Sequence, residues 1–291
     1  MTTLREKLDA GNFVVTGEVA PPRGRDCTKM LAEVEAFAPV ADAVNITDNQ
    51  GATLHLSSLA ASRMAQERGV EAIFQQTCRD RNRLALQSDL LAAATYGLQN
   101  FLAVTGDNPH FGDHPQAKAV FDLDSTQLIE VASALNRGVD MNGVPLEGAT
   151  DFYIGAAAFP EAEPWAIQKR RIAQKVEAGA EFFQTQACMD VELFAQRVEE
   201  IQALGAKVIA GVILLKSERV ISFINNKLAG MMIPDNVVQR ISCASDPFEE
   251  SVRVAIEQSK IISEVADGIH MMPMGEIETG VRILREAHIK G

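Results

Sequence analysis

The chain has 291 residues, 47% of them hydrophobic and 23% charged, with a formal net charge of −12. That is the composition of a folded globular protein, and an acidic balance in which no Lys/Arg run stands out excludes a broad basic surface for nucleic-acid backbone. No apolar run approaches the roughly 20 residues needed to span a bilayer, the N-terminal MTTLREKLDAGNFVVTGEVAPPR lacks the long apolar core of a secretory signal, and Cys27, Cys78, Cys188 and Cys243 are scattered without a CxxC pair.

A cytoplasmic protein with neither disulfides nor a zinc site is therefore expected.

One pattern repeats along the chain: a short apolar, β-branched run, a polar turn, then a longer helical stretch. Strands are predicted over Phe13–Ala20, Ala43–Thr47, Glu71–Cys78, Phe101–Thr105, Phe152–Phe159, Phe182–Ala187, Val208–Leu215 and Gly268–Met274. Helices are predicted between them, over Thr28–Phe37, Leu56–Glu67, Asn82–Tyr96, Ser125–Asn136, Trp165–Ala178, Val191–Ala203, Glu218–Ala229 and Pro247–Val265, with a last one near Glu276–His288. Continuous apolar strands such as VIAGVILL suit a parallel sheet covered on both faces, and strict β/α alternation argues for parallel βαβ units. Eight such units point to a (β/α)8 TIM barrel occupying 1–291 as one catalytic domain, with an open doubly wound sheet as the alternative. The longest irregular stretch, Gly106–Asp124, reads as a functional loop.

Active sites of TIM barrels lie at the C-terminal ends of the strands. Here those ends carry Glu18, then Thr47-Asp48-Asn49-Gln50, Gln75-Gln76-Thr77, Thr105-Gly106-Asp107, Phe159-Pro160-Glu161 and Gln184-Thr185-Gln186. Glu18 and Asp107 form the natural acid pair, since a buried carboxyl facing a second one is suited to general-acid work. The structural alternative is that Glu18 caps a loop or pairs with Arg23. TGDNP offers a glycine turn that a ligand can approach closely, but it lacks P-loop or GxGxxG spacing. GDHPQAKAVFDLDS is either a lid or a solvated loop. His110 and His114 have no companion ligands, so no metal is expected. Met271, Met272 and Met274 suit the barrel core, and Trp165 is expected to pack at the start of its helix. Lys169, Arg170, Arg171 and Lys175 form either a solvated face or a contact for a cofactor phosphate.

GEVAPPR (Gly17–Arg23), VNITDN (Val44–Asn49), QTCRDRNRLALQSDLLAA (Gln76–Ala93), VTGDNP (Val104–Pro109), AAFPEAEP (Ala157–Pro164) and KVEAGAEFFQTQACMD (Lys175–Asp190) resemble the methylenetetrahydrofolate reductase family, in family order and across most of the chain. CRDRN and GDHPQAK are closest in wording to its branch from anaerobic one-carbon pathways, where the reductase works with an iron–sulfur subunit. The resemblance implies a flavin-dependent barrel that interconverts 5,10-methylene- and 5-methyltetrahydrofolate. Glu18 then matches the general acid at N10, and Asp107 the acid near flavin and pterin. Gln186 matches a folate-contacting glutamine and Phe223 a substrate-covering phenylalanine. Thr47, Gly106, Phe121, Phe159 and Lys175 match flavin-lining positions. Gln75, Thr105 and Glu163 stand at flavin positions where the family has histidine, arginine and histidine, a loss compatible with FMN in place of the family's FAD, or with weak flavin binding. Leu214-Leu215-Lys216-Ser217 also departs from the usual pattern, leaving the donor open between NADH and a reduced partner protein. An oligomer is expected. Two alternatives stand beside this: a flavin-free folate reductase using a soluble hydride donor, and a non-catalytic pterin-binding or scaffolding subunit of a one-carbon complex.

Overall fold

The computed structural model describes residues 2–227 and 232–289. Eight parallel strands close into a barrel in chain order: β1 (Val14–Val19), β2 (Ala43–Ile46), β3 (Glu71–Thr77), β4 (Asn100–Val104), β5 (Tyr153–Ala158), β6 (Phe182–Ala187), β7 (Lys207–Ile213) and β8 (Gly268–Met272). Closure comes from the pairing of β8 with β1, Val14 opposite Gly268 and Gly17 opposite Met271, which excludes the open doubly wound sheet. The helices are α1 (Leu4–Asp9), α2 (Thr28–Phe37), α3 (Ser58–Glu67), α4 (Arg83–Thr95), α5 (Ser125–Asn136), α6 (Trp165–Ala178), α7 (Val191–Gln202), α8 (Glu218–Lys227), α9 (Asp235–Ser242), α10 (Pro247–Ile262) and α11 (Ile277–Glu286).

Sequence periodicity finds all of these except α1 and α9, both too short to show a repeat. The predicted helix Glu218–Ala229 overlaps α8, and its last two residues lie outside the described ones. Among the described residues no helix is long and apolar enough to cross a membrane.

Period-two alternation sorts each strand into an outward and an inward set. Outward residues such as Val15, Val44, Phe74, Phe101, Ile154, Phe183, Val208 and Ile269 are buried beneath the helices in the main core. Inward residues stack in layers, as barrel interiors do. The lowest layer is apolar: Val14, Ala43, Ile73, Leu102, Tyr153, Phe182 and Ile209, closed from below by Leu4 and Leu8 of α1. One step up, the interior turns polar. Asn45 and Gln184 exchange side-chain amide bonds across the barrel at 2.5 and 2.9 Å. Gln184 also donates to the Thr16 hydroxyl at 3.3 Å, and that hydroxyl meets His270 Nδ1 at 2.9 Å. A further step along the same inward rows brings Glu18, Thr47 and Gln186 to the mouth.

The bottom layer has no spare room. Phe182 stacks on Tyr153 with ring centroids 4.9 Å apart, and a Cβ placed on Gly155 would lie 2.2 Å from the Phe182 ring. Gly155→Ala is expected to cost about 1–3 kcal/mol through overpacking, read as a lower urea midpoint with an unchanged slope.

Candidate active site

A cavity of about 320 Å³ opens at the C-terminal end of the barrel. Its wall contains Glu18, Thr47, Gln75, Thr105, Gly106, Asp107, Phe159, Lys175 and Gln186 together with Asp48, Gln50, Thr77 and Arg79. Residues from β1 through β6 thus meet at one point, although they are up to 168 positions apart in sequence. Three expected site residues stand elsewhere or outside description. Glu163 is turned to Arg197, whose guanidinium also lies 4.9 Å from the Trp165 ring, and it accepts the Trp165 backbone N–H at 2.8 Å. Phe121 does not line the cavity; it is exposed on the 106–124 loop with a left-handed φ of 41°. Phe223 falls in α8, and its side chain is outside the described ones. A larger open groove of about 500 Å³ lies on the outer surface between α5 and α6 and contains no strand-end residue.

Glu18 is nearly enclosed, its side chain 17% exposed. It does not pair with Arg23, which binds Asp113 at 2.6 Å instead. Oε1 accepts from Gln50 Nε2 at 3.3 Å, and Oε2 faces His270 Nε2 at 3.9 Å. Because His270 Nδ1 is engaged by Thr16, the imidazole is held with its other nitrogen toward Glu18. Sequence reasoning missed His270 and Thr16. The signal was available: Thr16 shares the inward row of Glu18, two residues away, and His270 is the one ionisable residue in β8. Asp107, in contrast, is exposed at the mouth rather than buried, so the two acids occupy different surroundings.

Two charge networks hold the loops. The buried Asp48 carboxylate accepts the Thr77 backbone N–H and hydroxyl at 2.8 and 2.9 Å and pairs with Arg81 at 2.7 Å. Asp113 accepts from Arg23, the Leu54 N–H at 3.1 Å and His114 at 2.8 Å, which lashes the 106–124 loop to those leaving β1 and β2. The three polar bonds to Asp113 hold its carboxyl below the usual range, His114 chief among them. Among the described residues, no group of three or more His, Cys, Asp or Glu side chains is placed to hold a metal.

Lys175 reaches back from α6 into the cavity wall and donates to the Ala157 carbonyl at 2.8 Å. Burial pushes its amine down from 10.5 to about 8. A flat heteroaromatic ring fits this wall. Thr47, Thr105 and Gln75 offer hydroxyl and amide partners, Phe159 and Ala157 an apolar face, and Gly106 an open stretch of backbone. A Cβ on Gly106, whose φ is +89°, would come within 3.0 Å of Thr77 and Arg79.

An eight-stranded barrel with a cavity lined by acids, amides and hydroxyls at its mouth defines a (β/α)8 protein. Residues 3–288 match the family model of methylenetetrahydrofolate reductase, and the chain belongs to that family. It is 24% identical over 299 residues to methylenetetrahydrofolate reductase 2 of Schizosaccharomyces pombe, covering 92% of this chain and 44% of that protein. It is 26% identical over 220 residues to the probable methylenetetrahydrofolate reductase (NADH) of Oryza sativa subsp. japonica, covering 69% and 35%. With the 5,10-methylenetetrahydrofolate reductase of Pectobacterium carotovorum the figures are 25% over 206 residues, covering 68% and 62%. The chain thus spans less than two thirds of the length of each of these curated relatives. Among solved structures, tryptophan synthase from M. tuberculosis superposes with a TM-score of 0.55 at 12% identity, covering 97% of this chain and 94% of that one. The corresponding figures for 2,3-dimethylmalate lyase are 0.54, 13%, 97% and 84%. At such identity the likeness is one of fold.

The depressed Lys175 amine has a stability consequence with a definite sign. Below about pH 8 both folded and unfolded chains carry the proton, so the full cost of burying the charge is felt. Between about 8 and 10.5 the folded state sheds it first, and the cost fades. Lys175→Met is expected to stabilise the protein by on the order of 1–3 kcal/mol at neutral pH. The gap from wild type should close as the pH rises through that window, which paired urea titrations would follow.

Proposed function

We propose that this barrel reduces 5,10-methylenetetrahydrofolate to 5-methyltetrahydrofolate, reversibly, with a flavin bound along its mouth. The observation that carries the reading is the convergence of Glu18, Asp107, Gln186 and Thr47 on one cavity in a chain of this family. Thr47, Gln75, Thr105, Gly106, Phe159 and Lys175 would hold the cofactor, which supplies the hydride when bound. Arg79 and Lys175 are the cations in the wall, and Glu163, at the flavin's expected far end, is committed to Arg197. That scarcity of positive charge favours FMN over the FAD implied by family resemblance. NADH or a reduced iron–sulfur partner subunit would replenish the electrons.

In this reading Glu18 carries the proton that opens the substrate's five-membered ring. It donates to N10, the bond from N10 to the bridging carbon breaks, and the electron pair of N5 forms the 5-iminium cation. Hydride addition at that carbon gives the methyl group. The Asp107 carboxylate hydrogen-bonds the pterin and stabilises its cationic character, while Gln186 orients the folate. His270, fixed by Thr16, lies beneath Glu18 with Nε2 3.9 Å from the carboxyl and gives it a polar neighbour, while solvent at the mouth returns the proton to the acid after turnover.

Glu18→Gln keeps the shape and removes the transferable proton. It is expected to lower kcat for methylenetetrahydrofolate reduction by about 10²–10⁴-fold, the usual worth of a positioned general acid, while 5-methyltetrahydrofolate still binds. A variant with undiminished turnover would refute the assignment.

A further inference from the structure

The loop leaving β3 carries CRDRN, Cys78–Asn82, and the proton and hydride transfers proposed above use none of it. Arg79 stands out, because its side chain is only 2% exposed. Guanidinium groups are rarely buried unless paired. Nε and one terminal nitrogen grip Asp80 at 2.8 and 2.7 Å. The other terminal nitrogen donates to the backbone carbonyl of Asp107 at 3.5 Å. The Arg79 carbonyl accepts the N–H of Val120 at 2.8 Å.

The 106–124 loop also rests directly on this residue, since a Cβ on Gly106 would lie 3.0 Å from that of Arg79. The Arg79 guanidinium therefore holds the beginning of the loop at the Asp107 carbonyl, while Val120 is held by the backbone carbonyl, which any residue at this position supplies. Burial works against its charge, but the bonds to Asp80 and the fields of Asp80, Asp48 and Asp107 outweigh burial and hold it firmly cationic. Arg81, two residues on, is spent on Asp48 and Asp89.

We propose that Arg79 is a positioning residue for Asp107, its guanidinium tying the start of the 106–124 loop to Asp80 so that this carboxylate meets the pterin in one orientation. The ligand's identity rests on the folate reading; the tether does not. A planar fork is needed, because one guanidinium must grip Asp80 at two points and still reach the Asp107 carbonyl.

Hydrogen–deuterium exchange on the ligand-free protein reads the tether without any substrate. In Arg79→Met, amides of residues 105–111 are expected to exchange about tenfold faster or more, with those of β6 and α7 unchanged. The same variant should lose about 10–100-fold in kcat for methylenetetrahydrofolate, the penalty that a displacement of roughly 1 Å imposes on a positioned group. KM should stay within about threefold, since the group acts mainly on the reacting geometry. Arg79→Lys retains the charge without the fork and serves if the methionine variant fails to fold; it should loosen the same amides. Wild-type exchange at 105–111 in a folded variant, acceleration by one factor throughout the chain, or an unchanged kcat would each overturn the proposal. If wild type fails to turn over this folate while the loop loosens in both variants, the folate reading falls and the tether stands.

Discussion

The reciprocal amide bonds between Asn45 and Gln184 are the constraint on which the mouth of the barrel depends. They cross the interior from β2 to β6 and continue through Thr16 to His270. Buried polar groups are costly unless every donor and acceptor finds a partner, and once paired they fix one arrangement. This layer separates the apolar plug made by α1 and the lower strand residues from the cavity above. An apolar layer at this height would leave the His270 ring without the bond that orients it toward Glu18. The chemistry at the mouth is thus supported from beneath by hydrogen bonds, and from the sides by loops.

Those loops are stiffened by charge. Asp48 joins the end of β3 to Arg81, Arg79 grips Asp80, and Asp113 gathers the loops after β1, β2 and β4. Exposed pairs contribute little each, but removing one partner of a buried pair such as Asp48–Arg81 leaves an uncompensated charge. The site therefore combines rigid strand ends with connections that have few alternative packings. Such preorganisation suits the general-acid role proposed for Glu18.

Much of this was legible in the sequence. The alternation of apolar runs and helical stretches yields eight strands in order, and the rule that barrel sites lie at strand C-termini leads to Glu18, Thr47, Gln75, Gly106, Asp107, Phe159 and Gln186, all found on one cavity. What escaped was whatever depends on a partner distant in the chain. Thr16, Asn45 and His270 look like isolated polar residues in apolar strands until the barrel closes, and Gln184, read as part of a strand end, turns out to lie one layer below the mouth. Glu163 stands where the resemblance implies a flavin contact, yet Arg197 on α7 takes it. Phe121 fits a motif, but the loop that carries it turns the ring outward to solvent. The short helices α1 and α9 gain their stability from packing rather than from their own periodicity.

The central claim is that one mouth holds both a flavin and a folate, with the folate's bridging carbon in reach of hydride transfer. Anaerobic addition of 5-methyltetrahydrofolate to the purified, oxidised protein tests it most directly. Bleaching of the flavin's visible absorbance, one equivalent of folate per flavin, with methylenetetrahydrofolate appearing in step, is the expected result. A flavin that stays oxidised while the folate binds, or a colourless protein that turns the folate over, would contradict the account.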